Sequence, residues 1–182
     1  MTASPAITFR PLTDDDLPRM HRWLQDPAVV AWWEGDDVSW EGVVETYGSA
    51  NTDPVDHYLA LLDGEPLGWI QCYPAIWEDD DEAYYWKEHL DLWRTAGIDY
   101  LVGEADQRGQ GLGAAMIRAF VHDVLFPHHW LWHTAAAGPF EANTASWKAL
   151  EKAGFRRIAT LDDEEGPCVL MAIRREAVEV GG

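Results

Sequence analysis

The chain is poor in cysteine, in positive charge and in long apolar runs. Its two cysteines, Cys72 and Cys168, stand far apart and form no Cys-x-x-Cys pair, which argues against a disulfide framework and a thiolate zinc site and suits a reducing, cytoplasmic location. No apolar run approaches the roughly 20 residues needed to span a bilayer, and residues 1–9 lack the basic-then-apolar order of a signal peptide. Lys and Arg total 13 against 32 Asp and Glu, a net charge of −19. A field of that sign repels phosphate backbones and anionic lipid surfaces and concentrates cations. Nucleic acid and membrane are therefore not expected partners, and cationic small molecules are. Neither a repeat nor a low-complexity linker interrupts the 182 residues, a length that predicts one domain over 1–182 with its core at about 7–174.

Hydrophobic residues make up 47% of the chain, ordinary for a globular protein, and 11 of the residues are tryptophan. Several of these sit beside acids, as in Trp32-Trp33-Glu34 and Tyr84-Tyr85-Trp86-Lys87-Glu88. The pattern predicts a strand at 7–12, a helix starting at Thr13, a brief helix at 28–33 and another from Ser39 to about Tyr47. Asp63-Gly64 is the strongest hairpin signal, joining strands at 57–62 and 67–73. Residues 77–95, with Glu78-Asp79-Asp80-Asp81-Glu82 followed by aromatics, read as a long loop or lid, a length uncommon in a compact domain unless functional. A strand at 98–102, a helix from Gly111 to about Leu125, a strand at 130–134, a helix headed by Asn143 and closed by Gly154, and strands at 155–161 and 168–173 complete a mixed α/β sheet.

The segment richest in chemistry is Gln107-Arg108-Gly109-Gln110-Gly111-Leu112-Gly113, between a strand and a helix N-terminus. Inward-pointing backbone N–H groups and the positive end of the helix hold a pyrophosphate without many lysines, which an anionic protein using an anionic cofactor needs. A Walker loop requires Gly-x-x-x-x-Gly-Lys-Ser/Thr, which does not occur. Gly109-x-Gly111-x-x-Ala114 satisfies the relaxed dinucleotide fingerprint, but it falls past mid-chain with too little sequence after it for a Rossmann sheet. The third pattern, Arg/Gln-x-x-Gly-x-Gly/Ala, is met by Arg108, Gly111 and Gly113 and resembles the acyl-CoA pyrophosphate loop of the Gcn5-related N-acetyltransferases (GNAT). Asn143 followed by Trp147-Lys148-Ala149-Leu150-Glu151-Lys152-Ala153-Gly154-Phe155 resembles the second acetyl-CoA helix of that superfamily. Trp32-Trp33-Glu34-Gly35, Asp63 to Gly68, Gly97-Ile98-Asp99 and Gly166-Pro167 extend the likeness, in order, to the aminoglycoside 6'-N-acetyltransferases.

The resemblance implies the fold β-α-α-β-β-β-α-β-α-β-β and an acetyl-CoA co-substrate without a metal. It also implies acetyl transfer to the 6'-amine of aminoglycosides by direct attack, giving drug resistance. It makes Asp99 the base that accepts the ammonium proton. The backbone of Tyr100, Leu101 and Val102 would pair with the pantetheine arm, where side-chain identity matters little. Arg108, Gly109, Gln110, Gly111, Leu112 and Gly113 would hold the pyrophosphate, with Asn143 and Lys148 completing the cofactor site. For the acceptor, where carboxylates suit ammonium groups and aromatic faces suit sugar rings, the resemblance implies Trp33, one of Asp79, Asp80 and Asp81, Tyr85 or Trp86, Asp99 and Glu165, with Glu141 a further candidate.

Two departures stand out. Relatives usually carry a Tyr where this chain has Leu150, so no phenol at that site protonates the leaving thiolate, and water, another Tyr or release of the thiolate itself must serve. The segment Ala135 to Glu141 replaces a shorter Thr-Asp-Pro and lacks its Asp, so either Glu141 compensates or the acceptor differs. These features leave room for another amine acceptor, such as a siderophore hydroxylysine or a polyamine, and for a protein that binds acetyl-CoA or a cationic drug without turnover. Monomer and homodimer are both compatible with the sequence. His128, His129 and His133 flank apolar residues without a convincing third ligand, so no metal site is expected.

Overall fold

Asp63 and Gly64 both have positive φ, 51° and 89°, the conformation that a two-residue turn needs to match the twist of its strands. In the computed structural model, which describes residues 6–33, 36–77, 86–163 and 166–176, this turn joins β2 (Asp56–Leu62) to β3 (Glu65–Pro74). With β1 (Ile7–Pro11), β4 (Thr95–Val102), β5 (Thr134–Ala137), β6 (Arg156–Asp163) and β7 (Gly166–Arg174) they form one seven-stranded sheet in the order β1-β2-β3-β4-β5-β7-β6. The alternation of strands and helices is the expected GNAT order, with the first helical stretch divided into α1 (Leu17–Leu24), α2 (Pro27–Val30) and α3 (Trp40–Tyr47). Asp26 and Ser39 cap α2 and α3 by accepting from the backbone N–H of Ala28 and Gly42.

The strand expected at 130–134 lies later, at Thr134–Ala137. Trp130 and Leu131 are exposed, whereas all four residues of β5 are buried. Three small alanines suit a central strand packed on both faces, a pattern that periodicity does not reveal. The end of the expected lid is also ordered: Leu92–Arg94 form a 3-10 turn and β4 starts at Thr95. The helix after the glycine loop begins as α4 (Leu112–Ala119), widens into π-helical turns at Phe120–Leu125 and ends in α5 (Phe126–His128). The last helix, α6 (Thr144–Ala153), has Asn143 as its cap, accepting from Ser146 N–H, and closes on Gly154 at φ 105°.

The sheet divides the core. On one face α1 and α3 bury Met20, Trp23, Leu24 and Val43 against Leu59, Trp69 and Leu101. On the other, Ile117, Phe120, Val121 and Leu150 pack on Ile70, Cys72 and Ile98. Successive strand residues point to opposite faces, so Asp99 belongs to the α1–α3 side and Tyr100 to the α4–α6 side, where its ring packs against the second cluster. No helix among the described residues is long and apolar enough to cross a membrane.

The decisive feature lies between β4 and β5, the parallel pair of the sheet. Their ladder joins Thr95, Ala96 and Gly97 to Thr134, Ala135 and Ala136 and then stops. Beyond Ala137 the chain turns toward β7: Pro139 accepts from Val169 N–H, Glu141 N–H donates to Pro167, and Phe140 bridges to Cys168. The strands splay, and among the described residues no strand lies beside the backbone edge of residues 98–102 that faces away from β3. Gly97 stands at the fork, where an added Cβ would lie 2.2 Å from the Tyr73 ring. Gly97→Ala is expected to cost about 1–3 kcal/mol, as overpacking does, read as a lower urea midpoint with unchanged m-value.

Candidate active site

One cavity of about 720 Å³ runs through the splay, lined from Trp33, Tyr47, Trp69, Gln71 and Asp99 on the α1–α3 side to Arg108, Gly111, Asn143, Ser146 and Lys148 on the other. Its two ends differ in charge. Asp36 and Asp99 line one; Arg108, Lys148 and Lys152 line the other, around the glycine loop and α6.

Asp99 is positioned by strand register. It pairs across the ladder with Gln71, whose Nε2 donates to Asp99 Oδ2 at 2.6 Å, and Tyr73 adds a second side-chain hydrogen bond. Burial pushes the Asp99 carboxyl above the ordinary carboxylate range, the two donors oppose this, and the nearby Asp36 charge adds to the rise. A carboxylate held this way is a better proton acceptor than a solvated one. Asp36 is shifted in the same direction by desolvation.

Behind Asp99 stands an aromatic wall. Trp33 and Tyr47 pack on Trp69 with centroids 5.8 and 5.3 Å apart, and Trp33 Nε1 donates to Tyr47 Oη at 3.1 Å. His57 stacks on the far side of this group, and burial lowers its pKa to about 4, so it is neutral at physiological pH. The buried indole N–H groups of Trp69 and Trp86 find no acceptor among the described residues.

At the other end Gly109 and Gly111 adopt positive φ, 74° and 81°, with open space where a Cβ would project. Left-handed conformation at these positions turns backbone N–H groups toward the start of α4. Arg108 does not simply point at this space. Its guanidinium donates to the carbonyls of Val102 and Gly103 and pairs with Asp26 at 2.9 Å, fastening the loop to the end of β4. Asn143 spends its side-chain oxygen on Ser146 N–H, which leaves its amide N–H groups as donors.

The expected cofactor residues Tyr100, Leu101, Val102, Arg108, Gly109, Gly111, Gly113, Asn143 and Lys148 line the cavity, as do Trp33, Trp86 and Asp99 of the acceptor set. Gln110 and Leu112 do not: Gln110 donates to the Asp106 carbonyl and Leu112 packs beside Met116. Glu141 lines a smaller depression that shares Trp32 and Phe140 with the cavity, and it is paired with Arg157 at 2.5 Å. The expected acceptor residues Asp79, Asp80, Asp81, Tyr85 and Glu165 lie outside the described residues. Sequence reasoning missed Asp36, Tyr47, Trp69, Gln71, Tyr73 and Ser146. The alternation Trp69-x-Gln71-x-Tyr73 on a strand was the available signal, but its partner strand and register come from tertiary pairing.

Asp56, Cys72 and His129 bring one potential ligand atom each within 4.8 Å of one another. None of them lines the cavity, and burial raises the Cys72 thiol pKa well above its ordinary value, which disfavours the thiolate that a metal or an acyl group would need.

A profile of the "Acetyltransferase (GNAT) domain" matches residues 13–163. The chain belongs to the GNAT acetyltransferases. It is 33% identical over 181 residues to aminoglycoside N(6')-acetyltransferase type 1 of Klebsiella pneumoniae, covering 97% of this chain and 87% of that protein. Among solved structures it resembles AAC(6')-Ib in complex with parmomycin and acetyl-CoA, with a TM-score of 0.82, 33% identity and coverage of 93% and 94% of the two chains. The complex of AAC(6')-Ib with coenzyme A and kanamycin matches with a TM-score of 0.80 at 32% identity, over 93% and 95%.

The elevated pKa of Asp99 links the site to stability. A carboxyl that binds its proton more tightly in the folded state stabilises fully below the unfolded pKa, and this is lost as pH rises through the folded value. Asp99→Asn is therefore expected to melt at a higher temperature than the parent at neutral pH, with the gap closing toward about pH 4. Thermal scans across that range check the sign.

Proposed function

We propose that this protein acetylates the 6'-amine of aminoglycoside antibiotics, using acetyl-CoA in the cytoplasm and conferring resistance. The observation that carries the reading is the single cavity through the splay, with a glycine loop and cations at one end and Asp99 before an aromatic wall at the other. Identity and fold likeness to aminoglycoside acetyltransferases over nearly the whole chain support it.

The chemistry follows from the ends of the cavity. An aminoglycoside amine is largely protonated at neutral pH. Asp99 binds the ammonium, accepts its proton and leaves the nitrogen lone pair to attack the thioester carbonyl. Backbone N–H groups on the open edge of β4 are the donors within reach of the pantetheine arm and of the developing oxyanion. Cys72 is fully buried and outside the cavity, which favours direct transfer over a covalent acyl-enzyme. In this reading Trp33 stacks on a sugar ring while the buried Trp86 only backs the cavity, and Asp36 joins the ammonium-binding acids; the expected Asp79, Asp80, Asp81, Tyr85 and Glu165 belong to the same acceptor side. A second reading, acetylation of another amine, is favoured by one observation: Glu141, the acid of the altered segment, is turned to Arg157 and not into the cavity.

The test is release of free thiol from acetyl-CoA with kanamycin beside a matched aminoglycoside bearing a 6'-hydroxyl. Turnover with the amine alone is expected; equal turnover with both, or with neither, overturns the assignment. Asp99→Asn is expected to lower kcat/KM by about 10² to 10⁴. Because the charge of −19 attracts a polycationic acceptor, the acceptor KM is expected to rise with ionic strength while that of acetyl-CoA does not.

A further inference from the structure

The thioester sulfur must leave as an anion, and the leaving group lies across the splay from the attacking amine. The amine side is the Asp99 face of β4; the opposite face carries Tyr100. On that side the described cavity residues bear two hydroxyls, Tyr100 and Ser146, and they touch: Tyr100 Oη lies 2.7 Å from Ser146 Oγ, with either atom able to donate. The phenol also donates to the Ser146 carbonyl, a long contact of 3.4 Å that a sulfur in the cavity must outcompete. Ser146 stands in the first turn of α6, its own N–H held by the Asn143 cap, so the hydroxyl is fixed by the helix start. Leu150, one turn later, is fully buried among apolar side chains and offers no donor. When Ser146 donates to the phenol oxygen, the phenol proton is free to point into the cavity.

We propose that the Tyr100 phenol, oriented by Ser146, donates a hydrogen bond to the sulfur of CoA as the C–S bond breaks. The inference rests on the acetyltransferase reading for its reaction. The balance is simple: the amine lone pair forms the C–N bond, the C–S electron pair goes to sulfur, and the ammonium protons pass through Asp99 to water. The thiolate, held by the phenol O–H, takes its proton from water on release. Burial and the Asp99 charge keep the phenol pKa above its ordinary value despite Ser146, so the group stays a neutral donor throughout the working pH range. Tyr100 is thus more than a backbone position on the pantetheine strand, and its side-chain identity matters.

The experiment compares the parent, Tyr100→Phe and Ser146→Ala. Phenylalanine keeps the ring packing and removes the donor. The first readout is the pKa of the thiol of bound CoA, titrated by thiolate ultraviolet absorption against the same protein carrying desulfo-CoA. A hydrogen bond to the anion is expected to hold that pKa about one to two units lower in the parent than in Tyr100→Phe, with Ser146→Ala between. The second is kcat with kanamycin, expected to fall about 10²-fold in Tyr100→Phe with the acetyl-CoA KM changed by less than about threefold. Equal bound-thiol pKa values in the parent and Tyr100→Phe overturn the proposal, as does an unchanged kcat. The thiol titration needs no acceptor. A parent that fails to acetylate kanamycin therefore refutes the substrate reading while the Tyr100 assignment is still decided.

Discussion

The unfinished ladder between β4 and β5 is the constraint on which the site depends. Three residues of each strand pair, and the chain after Ala137 is then drawn away by its hydrogen bonds to β7. An unpaired strand edge in the middle of a sheet leaves backbone donors and acceptors that must be satisfied. An extended arm with amide groups of its own satisfies them as a further strand would. The gap also joins the two faces of the sheet in one cavity, which in the proposed reaction lets a nucleophile on one side and a leaving group on the other meet at one carbonyl.

Electrostatics divide the cavity along the same line. An acidic protein that takes up an anionic cofactor supplies its positive end from left-handed glycines, the start of α4 and a few cations, not from a basic surface. Arg108 illustrates the economy: its charge is shared with Asp26 and two carbonyls that lock the loop to β4. At the other end Asp36 and Asp99 are kept near each other and partly desolvated, a costly arrangement that a bound cation relieves. Stability is sacrificed there for proton affinity.

Much of this was legible in the residues. The glycine loop, the Asn143 cap and the Gly154 stop are local devices, specified by the φ angles and donors of a few neighbouring residues, and each appeared where the pattern placed it. The turn at Asp63-Gly64 was legible for the same reason. Less legible was β5, because three alanines carry no period. Gln110 and Glu141 were named for the site, and their side chains pair instead with the Asp106 carbonyl and Arg157. Proximity in the chain to a motif did not translate into facing the cavity.

By itself the sequence determined the order of elements, the left-handed glycine turn before α4 and the net charge of −19, since these follow from short-range geometry and composition. Only the tertiary structure decided which side chains share the cavity. Cross-strand register set Gln71 and Tyr73 on Asp99, and the packing of α6 over the splay set Ser146 on Tyr100. Those contacts join residues tens of positions apart, and a shift of one residue in register would send each to the opposite face.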